Sequence, residues 1–167
     1  VLFVMITISS GIALRPLGKS RPGLYWIALL SITVGCLPVL MLATQLVIDV
    51  EPWYAPHYLI PLAGMIFANS MNPVSIAAER CQAELDHGHS PEKARYIAMQ
   101  TAMIPLVNSL MAVGLVSLPG MMTGQILSGV SPLIAARYQI LVMCMLFSAS
   151  GISVACFLHL WMRRPAR

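Results

Sequence analysis

The stretch that decides the fold is LYWIALLSITVGCLPVLMLATQLVI, which runs from Leu24 to Ile48. It contains about 25 residues without an Asp, Glu, Lys or Arg, and a helix of that length, at roughly 1.5 Å per residue, crosses about 30 Å of hydrocarbon with some tilt. A buried helix of a soluble protein is the alternative for one such run. Several runs of this length favour a membrane protein.

The composition of the whole chain supports a membrane environment. Of its 167 residues, 58% are hydrophobic and only 10% are charged, whereas ordinary soluble domains have about 25% charged residues. These values exclude a soluble domain and a disordered chain. The net charge of +4 is too small and too scattered for a nucleic-acid-binding surface, so we expect no nucleic-acid partner.

Four further apolar runs accompany the first. Residues 58–78 and 98–118 lack charge over about 21 residues each, which is long enough to span a membrane. Residues 138–162 carry only His159 near their end, and the chain opens in a shorter apolar run, 1–14. The pattern predicts an all-α integral membrane protein, a polytopic transmembrane helix bundle with about five spans. Because the chain opens inside an apolar run and lacks an initiator Met, we expect 1–167 to be a single transmembrane domain truncated at its N-terminus.

Lys and Arg residues predict the orientation, since they accumulate in cytoplasmic loops. Nine of the ten fall in the loop 15–23, the loop 79–97 and the tail after Met162, which share one side if the spans alternate. Arg137 is the exception. We therefore expect a multi-pass protein of the cell inner (plasma) membrane with its C-terminus in the cytoplasm, surrounded by membrane lipid.

Polar residues set the third run apart from the others, because Asn69, Ser70 and Asn72 lie deep within it. Amides in hydrocarbon need partners, and Met65, Asn69 and Asn72 share one helical face through their i, i+4 and i+7 spacing. One interpretation is a translocation path where amide oxygen and thioether sulfur briefly meet a cation. The other is hydrogen bonding between closely packed helices.

The segment 79–97 predicts a charged helical hairpin on the cytoplasmic side. Good helix formers continue to Asp86, and Gly88 is suited to a left-handed cap. Ser90 then has the character of an N-cap, followed by Pro91 at the first helical position and Glu92 in the first turn. A solvated loop is the alternative, and His87 and His89 are interpreted as surface histidines.

The connection 119–137 is rich in Gly and Pro but too apolar for an ordinary loop. We predict a Gly/Pro-broken re-entrant or interfacial segment, which is tolerated at depth only where protein or a cavity covers its backbone. Such broken segments recur at transporter substrate sites. A structural turn that caps the bundle is the alternative.

Sequence motifs of enzymes were not found. HExxH, GxSxG and GxxxxGK[ST] are missing, so the residues for metal hydrolysis, serine chemistry and ATP hydrolysis are not present. We expect no enzymatic activity, no catalytic residue and no cofactor bound by this chain. The cysteines Cys36, Cys81, Cys144 and Cys156 lack zinc-site spacing and are predicted to be buried thiols, and no metal ligand is firmly assigned.

Two stretches carry a family resemblance. GLVSLPGMMTGQILSGVSPLIAARYQI, from Gly114 to Ile140, and PLAGMI, from Pro61 to Ile66, resemble the Fet-type iron-export ABC transporter permease family, and plant aluminium-tolerance ABC membrane subunits are similar. The segment LDHGHSPEKA, from Leu85 to Ala94, is similar to the cytoplasmic loop of this family. The chain departs from the family pattern at Ala68, where Gly is common, and at Asn108, where a bacterial relative has an acidic residue.

The resemblance implies the permease subunit of an ABC exporter, with iron or another metal ion as cargo. ATP hydrolysis, with its ATP and Mg, then belongs to a separate ABC-type ATPase subunit, and a permease homodimer is implied. The alternatives are a permease for an organic substrate such as a sugar nucleotide, and a non-transporting scaffold or sensor that binds an ATPase.

Two sets of candidate residues follow from the motifs and the resemblance together. The candidate substrate pathway consists of Met65, Asn69, Met71, Asn72, Met121 and Met122. The candidate ATPase-coupling residues are Glu84, Asp86, Gly88, Ser90, Pro91, Glu92, Lys93 and Arg95.

Overall fold

The computed structural model describes residues 1–47, 55–113 and 118–163. Its elements are all helical: α1 (Leu2–Ala13), α2 (Arg21–Met41), α3 (Pro56–Asp86), α4 (Pro91–Ala112), α5 (Gly120–Leu127) and α6 (Pro132–Met162). A 3₁₀ turn, Arg15–Ser20, joins α1 to α2, and a π-helical segment, Leu42–Val47, continues α2. The predicted all-α bundle is confirmed.

Three helical stretches within these residues are long and apolar enough to cross a membrane: Gly23–Leu46, Tyr58–Asp86 and Pro132–Met162. They correspond to three of the five predicted spans, although Ile48 of the first lies outside the described residues. α1 is apolar but has only 12 residues. The predicted span 98–118 is helical only as far as Ala112, which leaves about 15 helical residues where a span needs about 20, and its residues 114–117 are not described.

Side-chain contacts define the directions of the helices. α4 returns along α3 after the turn at Gly88, and the two pack together. Arg95 and His159 line one groove, while the Cε atom of Met103 lies 3.7 Å from the place of a Cβ on Gly151. α4 and α6 therefore run antiparallel. The hairpin between α3 and α4 and the C-terminal end of α6 consequently lie at the same end of the bundle.

Small residues form part of the interior of the bundle. On α4 the buried residues are Ala94, Ala98 and Ala102, one at each turn, and α3 contributes buried Ala77 and Ala78. The outer surface carries exposed large apolar side chains, among them Phe3, Ile8, Trp26, Leu30, Ile104, Met111, Ile140 and Ile152. Phe67 and Phe157 are buried alongside the small residues, and small residues at helix contacts are typical of membrane bundles, whose helices approach closely without a hydrophobic driving force.

Three helices, α2, α3 and α6, approach one another closely at a polar crossing. It is formed by Gly35, Cys36, Ser70, Ser150 and Ser153. A Cβ on Gly35 would overlap the Ser153 hydroxyl and lie 2.8 Å from the Ala149 carbonyl oxygen. The Cys36 thiol donates to Ser70 Oγ at 3.3 Å, and the Ser70 and Ser150 hydroxyls are 3.3 Å apart. Since four of these side chains are fully buried, the hydrogen bonds satisfy groups that hydrocarbon could not.

The segment 119–137, predicted to be a broken re-entrant or interfacial segment, contains a short helix and the beginning of α6. Residues 120–127 form α5, which packs on α6, and Gly129 ends it at φ 90° with its N–H donating to the Ile126 carbonyl at 3.0 Å. Pro132 begins α6 six residues before the predicted start at Tyr138, because Pro is well suited to the first helical turn. The broken segment therefore ends at Ser131, and its depth in a bilayer stays a prediction.

The polar crossing generates a stability prediction. Gly35→Ala should destabilise the protein by about 1–3 kcal/mol, the usual effect of overpacking, because the new methyl group meets backbone atoms of α6. Gly124→Ala is the matched control, since nothing lies within 4 Å of its added Cβ. Thermal unfolding of the detergent-purified protein measures both. Equal melting temperatures for the two variants would contradict the tight crossing.

Candidate functional site

A cavity of about 220 Å³ lies between α3, α4 and α6. α3 contributes Asn69, Asn72, Pro73 and Ile76, α4 contributes Pro105, Leu106, Ser109 and Leu110, and α6 contributes Met143, Leu146 and Phe147. Most of the lining is therefore apolar, with two amides, one hydroxyl and one thioether as the polar groups. Among the described residues, the cavity lining offers neutral oxygen, nitrogen and sulfur atoms and no charged side chain.

Two prolines help to explain why space remains here. Pro73 lies inside α3 and Pro105 inside α4, and both line the cavity. Proline lacks the backbone N–H of the helical ladder, and its ring clashes with the carbonyl one turn earlier, so helices bend at such positions. Both facing helices are therefore weakened at the same level of the bundle.

Asn69 connects the cavity to the polar crossing. Its amide nitrogen donates one hydrogen to the Met65 carbonyl at 2.9 Å, which leaves the amide oxygen and the second N–H for the cavity. The Ser150 hydroxyl donates to the Asn69 backbone carbonyl at 3.3 Å. The hydrogen bonds therefore run in one direction, from Cys36 through Ser70 and Ser150 to Asn69.

The structure brings together some of the predicted pathway residues and separates others. Asn69 and Asn72 line the same cavity, whereas Met65 contributes only its backbone carbonyl to Asn69. Met71 is half-buried against the core. Met121 and Met122 lie on α5, half-buried, and neither belongs to the cavity lining.

Sequence reasoning missed the other walls of the cavity. Ser109 of α4 and Met143 and Phe147 of α6 complete it, yet nothing in their local pattern distinguishes them from ordinary helix-packing residues. A signal was present at Pro105, a proline inside an uncharged helix. Proline at such a place indicates a bend, and bends in membrane helices commonly accompany cavities.

The hairpin has the local geometry that its sequence predicts. Gly88 adopts φ 80°, its N–H donates to the Leu85 carbonyl at 2.9 Å, and the His89 N–H donates to the Glu84 carbonyl at 3.1 Å. These two bonds form a Schellman cap. Ser90 caps α4 by accepting from the Lys93 N–H at 3.4 Å, and Pro91 occupies the first turn.

A buried carboxylate closes the hairpin. The Glu84 side chain is only 7% exposed, with Arg80 Nη2 at 2.6 Å from one oxygen and His89 Nδ1 at 2.5 Å from the other. Arg80 lies one turn back on the same helix, whereas His89 lies beyond the Schellman turn. Glu84 therefore ties the turn to the end of α3. From the sequence, His89 is interpreted as a surface histidine, and its contact with Glu84 is not predicted.

The remaining coupling candidates form an exposed surface. Asp86 accepts from Gln82 Nε2 at 2.8 Å on its own helix. Glu92, Lys93 and Arg95 are exposed in the first two turns of α4. Charged side chains at the tip of a rigid hairpin are well placed to contact a soluble partner.

The prediction for the cysteines is half right. Cys36 and Cys81 are buried, but Cys144 is exposed and Cys156 is half-buried, both on α6. No group of three or more His, Cys, Asp or Glu side chains that could hold a metal ion occurs among the described residues.

The fold and the surface define an α-helical membrane protein, with three apolar helices of spanning length and exposed large apolar side chains among the described residues. Residues 1–165 match the family model of UPF0014, described as an uncharacterised protein family, and the chain belongs to this family. No solved structure matches the chain significantly.

Three relatives illustrate the breadth of the family. A UPF0014 membrane protein of Synechocystis sp. is 39% identical across 92% of this chain and 65% of its own length. The "Probable iron export permease protein FetB" of Escherichia coli is 37% identical across 77% of this chain and 55% of its own length. The "Protein ALUMINUM SENSITIVE 3" of Arabidopsis thaliana is 33% identical across 83% of this chain and 53% of its own length. The chain thus spans about half to two thirds of the length of these curated relatives.

Glu84 generates a prediction about the hairpin. Glu84→Gln should remove both ion pairs and speed amide hydrogen exchange across residues 87–90 several-fold, because the turn loses its tie to α3. Hydrogen exchange read by mass spectrometry measures this, with Glu79→Gln as the control, since Glu79 is exposed on the same helix. Equal exchange in the two variants would show that Glu84 does not order the turn.

Proposed function

We propose that this chain is the membrane-spanning permease subunit of an ABC exporter, with iron or another metal ion as its cargo. The observation that carries the proposal is the 37% identity with the probable iron export permease of E. coli, which covers 77% of this chain. The cavity between α3, α4 and α6 is the proposed place of passage.

The chemistry of the cavity suits transit rather than storage. Amide and hydroxyl oxygens are ligands for hard cations, and a thioether adds a soft donor. Because the cavity has no charged side chain in its lining, it would hold a partly hydrated cation weakly. Weak binding favours passage, since a path must release its cargo as readily as it accepts it.

The hairpin is the proposed contact with the ATPase subunit. Its exposed charges Asp86 and Lys93 lie on either side of a turn that Glu84 ties to α3, and α3 extends from this turn through Pro73 to Asn72 and Asn69. A displacement of the hairpin therefore moves the wall of the cavity. ATP and Mg belong to the partner, and two permease copies form the transport unit.

The proposed location is the cell inner membrane, with the hairpin and the C-terminus in the cytoplasm. Supporting this orientation, the hairpin lies at the same end of the bundle as the end of α6. Both regions carry basic residues, which accumulate on the cytoplasmic side. The partner ATPase would meet the hairpin on that side.

Efflux of labelled iron tests the proposal. Preloaded cells that express the full-length protein with its candidate ATPase should lose iron several-fold faster than cells whose ATPase cannot hydrolyse ATP. Lys93→Glu should reduce both the efflux and the copurification of the ATPase, because it reverses a charge at the hairpin. Arg137→Glu, exposed at the opposite end of α6, should change neither.

Equal iron loss with the active and inactive ATPase, both subunits being present and assembled, would overturn the iron assignment. An organic substrate would then be the next candidate. If the assembled pair moved no solute at all, the remaining interpretation would be a scaffold that binds an ATPase.

A further inference from the structure

A second and larger opening, of about 520 Å³, lies between the beginning of α4 and the end of α6. Here it is called the interfacial groove; it is lined by Glu92, Arg95, Tyr96 and Met99 of α4 and by Ala155, Cys156, Leu158 and His159 of α6. None of these residues lines the cavity at Asn72. Its volume lies within the about 300–1,000 Å³ typical of small-molecule sites.

Polar and apolar residues are segregated along the groove. Glu92 and Arg95 lie in the first two turns of α4, and His159 lies in the last turn of α6. Met99 and Ala155 lie one turn further toward the middle of the bundle. Because α4 and α6 are antiparallel, the groove has a charged rim at the end of the bundle and an apolar wall below it.

The rim contains both signs of charge. Within the described residues, neither Glu92 nor Arg95 takes part in an ion pair, so both charges are available to a ligand. They are three positions apart on one helical face, which places their Cβ atoms about 5–6 Å apart. A ligand that satisfies both carries an anion and a cation joined by a short link.

We propose that the interfacial groove binds one phospholipid with an ethanolamine headgroup. The phosphate lies at Arg95 and His159, the primary ammonium lies at Glu92, and an acyl chain follows Met99 and Ala155. Tyr96, which is 63% exposed, lies at the rim, where an aromatic ring with a polar end suits the membrane surface. The inference goes beyond the transport proposal and uses only its topology, in which the rim lies at the bilayer surface.

Glu92 explains the choice of headgroup. A glycerol headgroup would bring the anionic phosphate to the same rim without an ammonium to meet the carboxylate. A choline headgroup carries a cation whose methyl groups donate no hydrogen bond of the N–H type. The ethanolamine ammonium donates to the carboxylate while the phosphate accepts from the guanidinium, so both charge-assisted hydrogen bonds form.

Native mass spectrometry of the delipidated full-length protein tests the proposal, with ethanolamine, glycerol and choline phospholipids of identical acyl chains. The wild-type protein should retain the ethanolamine lipid about tenfold over the others, the order expected for one charge-assisted hydrogen bond. Glu92→Gln should remove its preference over the glycerol lipid. Arg95→Gln should weaken all three, and Lys93→Gln, outside the groove lining, should change nothing.

Equal retention of the three lipids by the wild type would overturn the proposal, as would equal effects of Lys93→Gln and Arg95→Gln. Ala155→Phe, which adds a ring to the groove wall, should reduce the retention of every lipid. If it instead converted dimers to monomers without changing lipid retention, a second copy of the chain would occupy the groove. Wild-type elution in size exclusion establishes that each variant is folded. Since neither iron nor ATPase is present, this result is independent of the transport proposal.

Discussion

The bundle depends on the close crossing of α2, α3 and α6 at Gly35. Lipid chains are as apolar as leucine side chains, so helices in a membrane associate through close packing and hydrogen bonds between them. At Gly35 only a hydrogen atom fits against the backbone of α6. Cys36, Ser70 and Ser150 add hydrogen bonds in the same layer. Small side chains and short polar contacts thus hold the three helices together at this crossing.

The same crossing positions the cavity. Ser150 ends the hydrogen-bond chain on the backbone of Asn69, while Pro73 and Pro105 interrupt the ladders of the two helices that face each other beyond it. α3 and α6 are therefore held tightly on one side of the cavity, and α3 and α4 are loosened on the other. α3 connects Asn72 to the Glu84 tie through the turn that contains Pro73.

Features set by local rules could be predicted from the sequence, whereas features set by tertiary register could not. The uncharged run at Leu24, the left-handed cap at Gly88 and the shared face of Asn69 and Asn72 follow from length, capping and helical period. Ser109 and Phe147 gain their place in the cavity only through the relative positions of three helices. α5 was not predicted as a helix because its two glycines and the preceding Pro119 obscure an eight-residue helix, and the methionine candidates remain predictions, since thioethers equally serve as packing groups.

The most direct measurement is ATPase-dependent metal efflux in Asn72→Leu, compared with Asn108→Leu, in cells that express the assembled transporter. Asn72 lines the cavity, whereas Asn108 is exposed on α4 and does not. If the cavity is the place of passage, Asn72→Leu loses most of the efflux, Asn108→Leu keeps it, and both variants still bind the ATPase. Export by Asn72→Leu at the wild-type rate would contradict passage through this cavity.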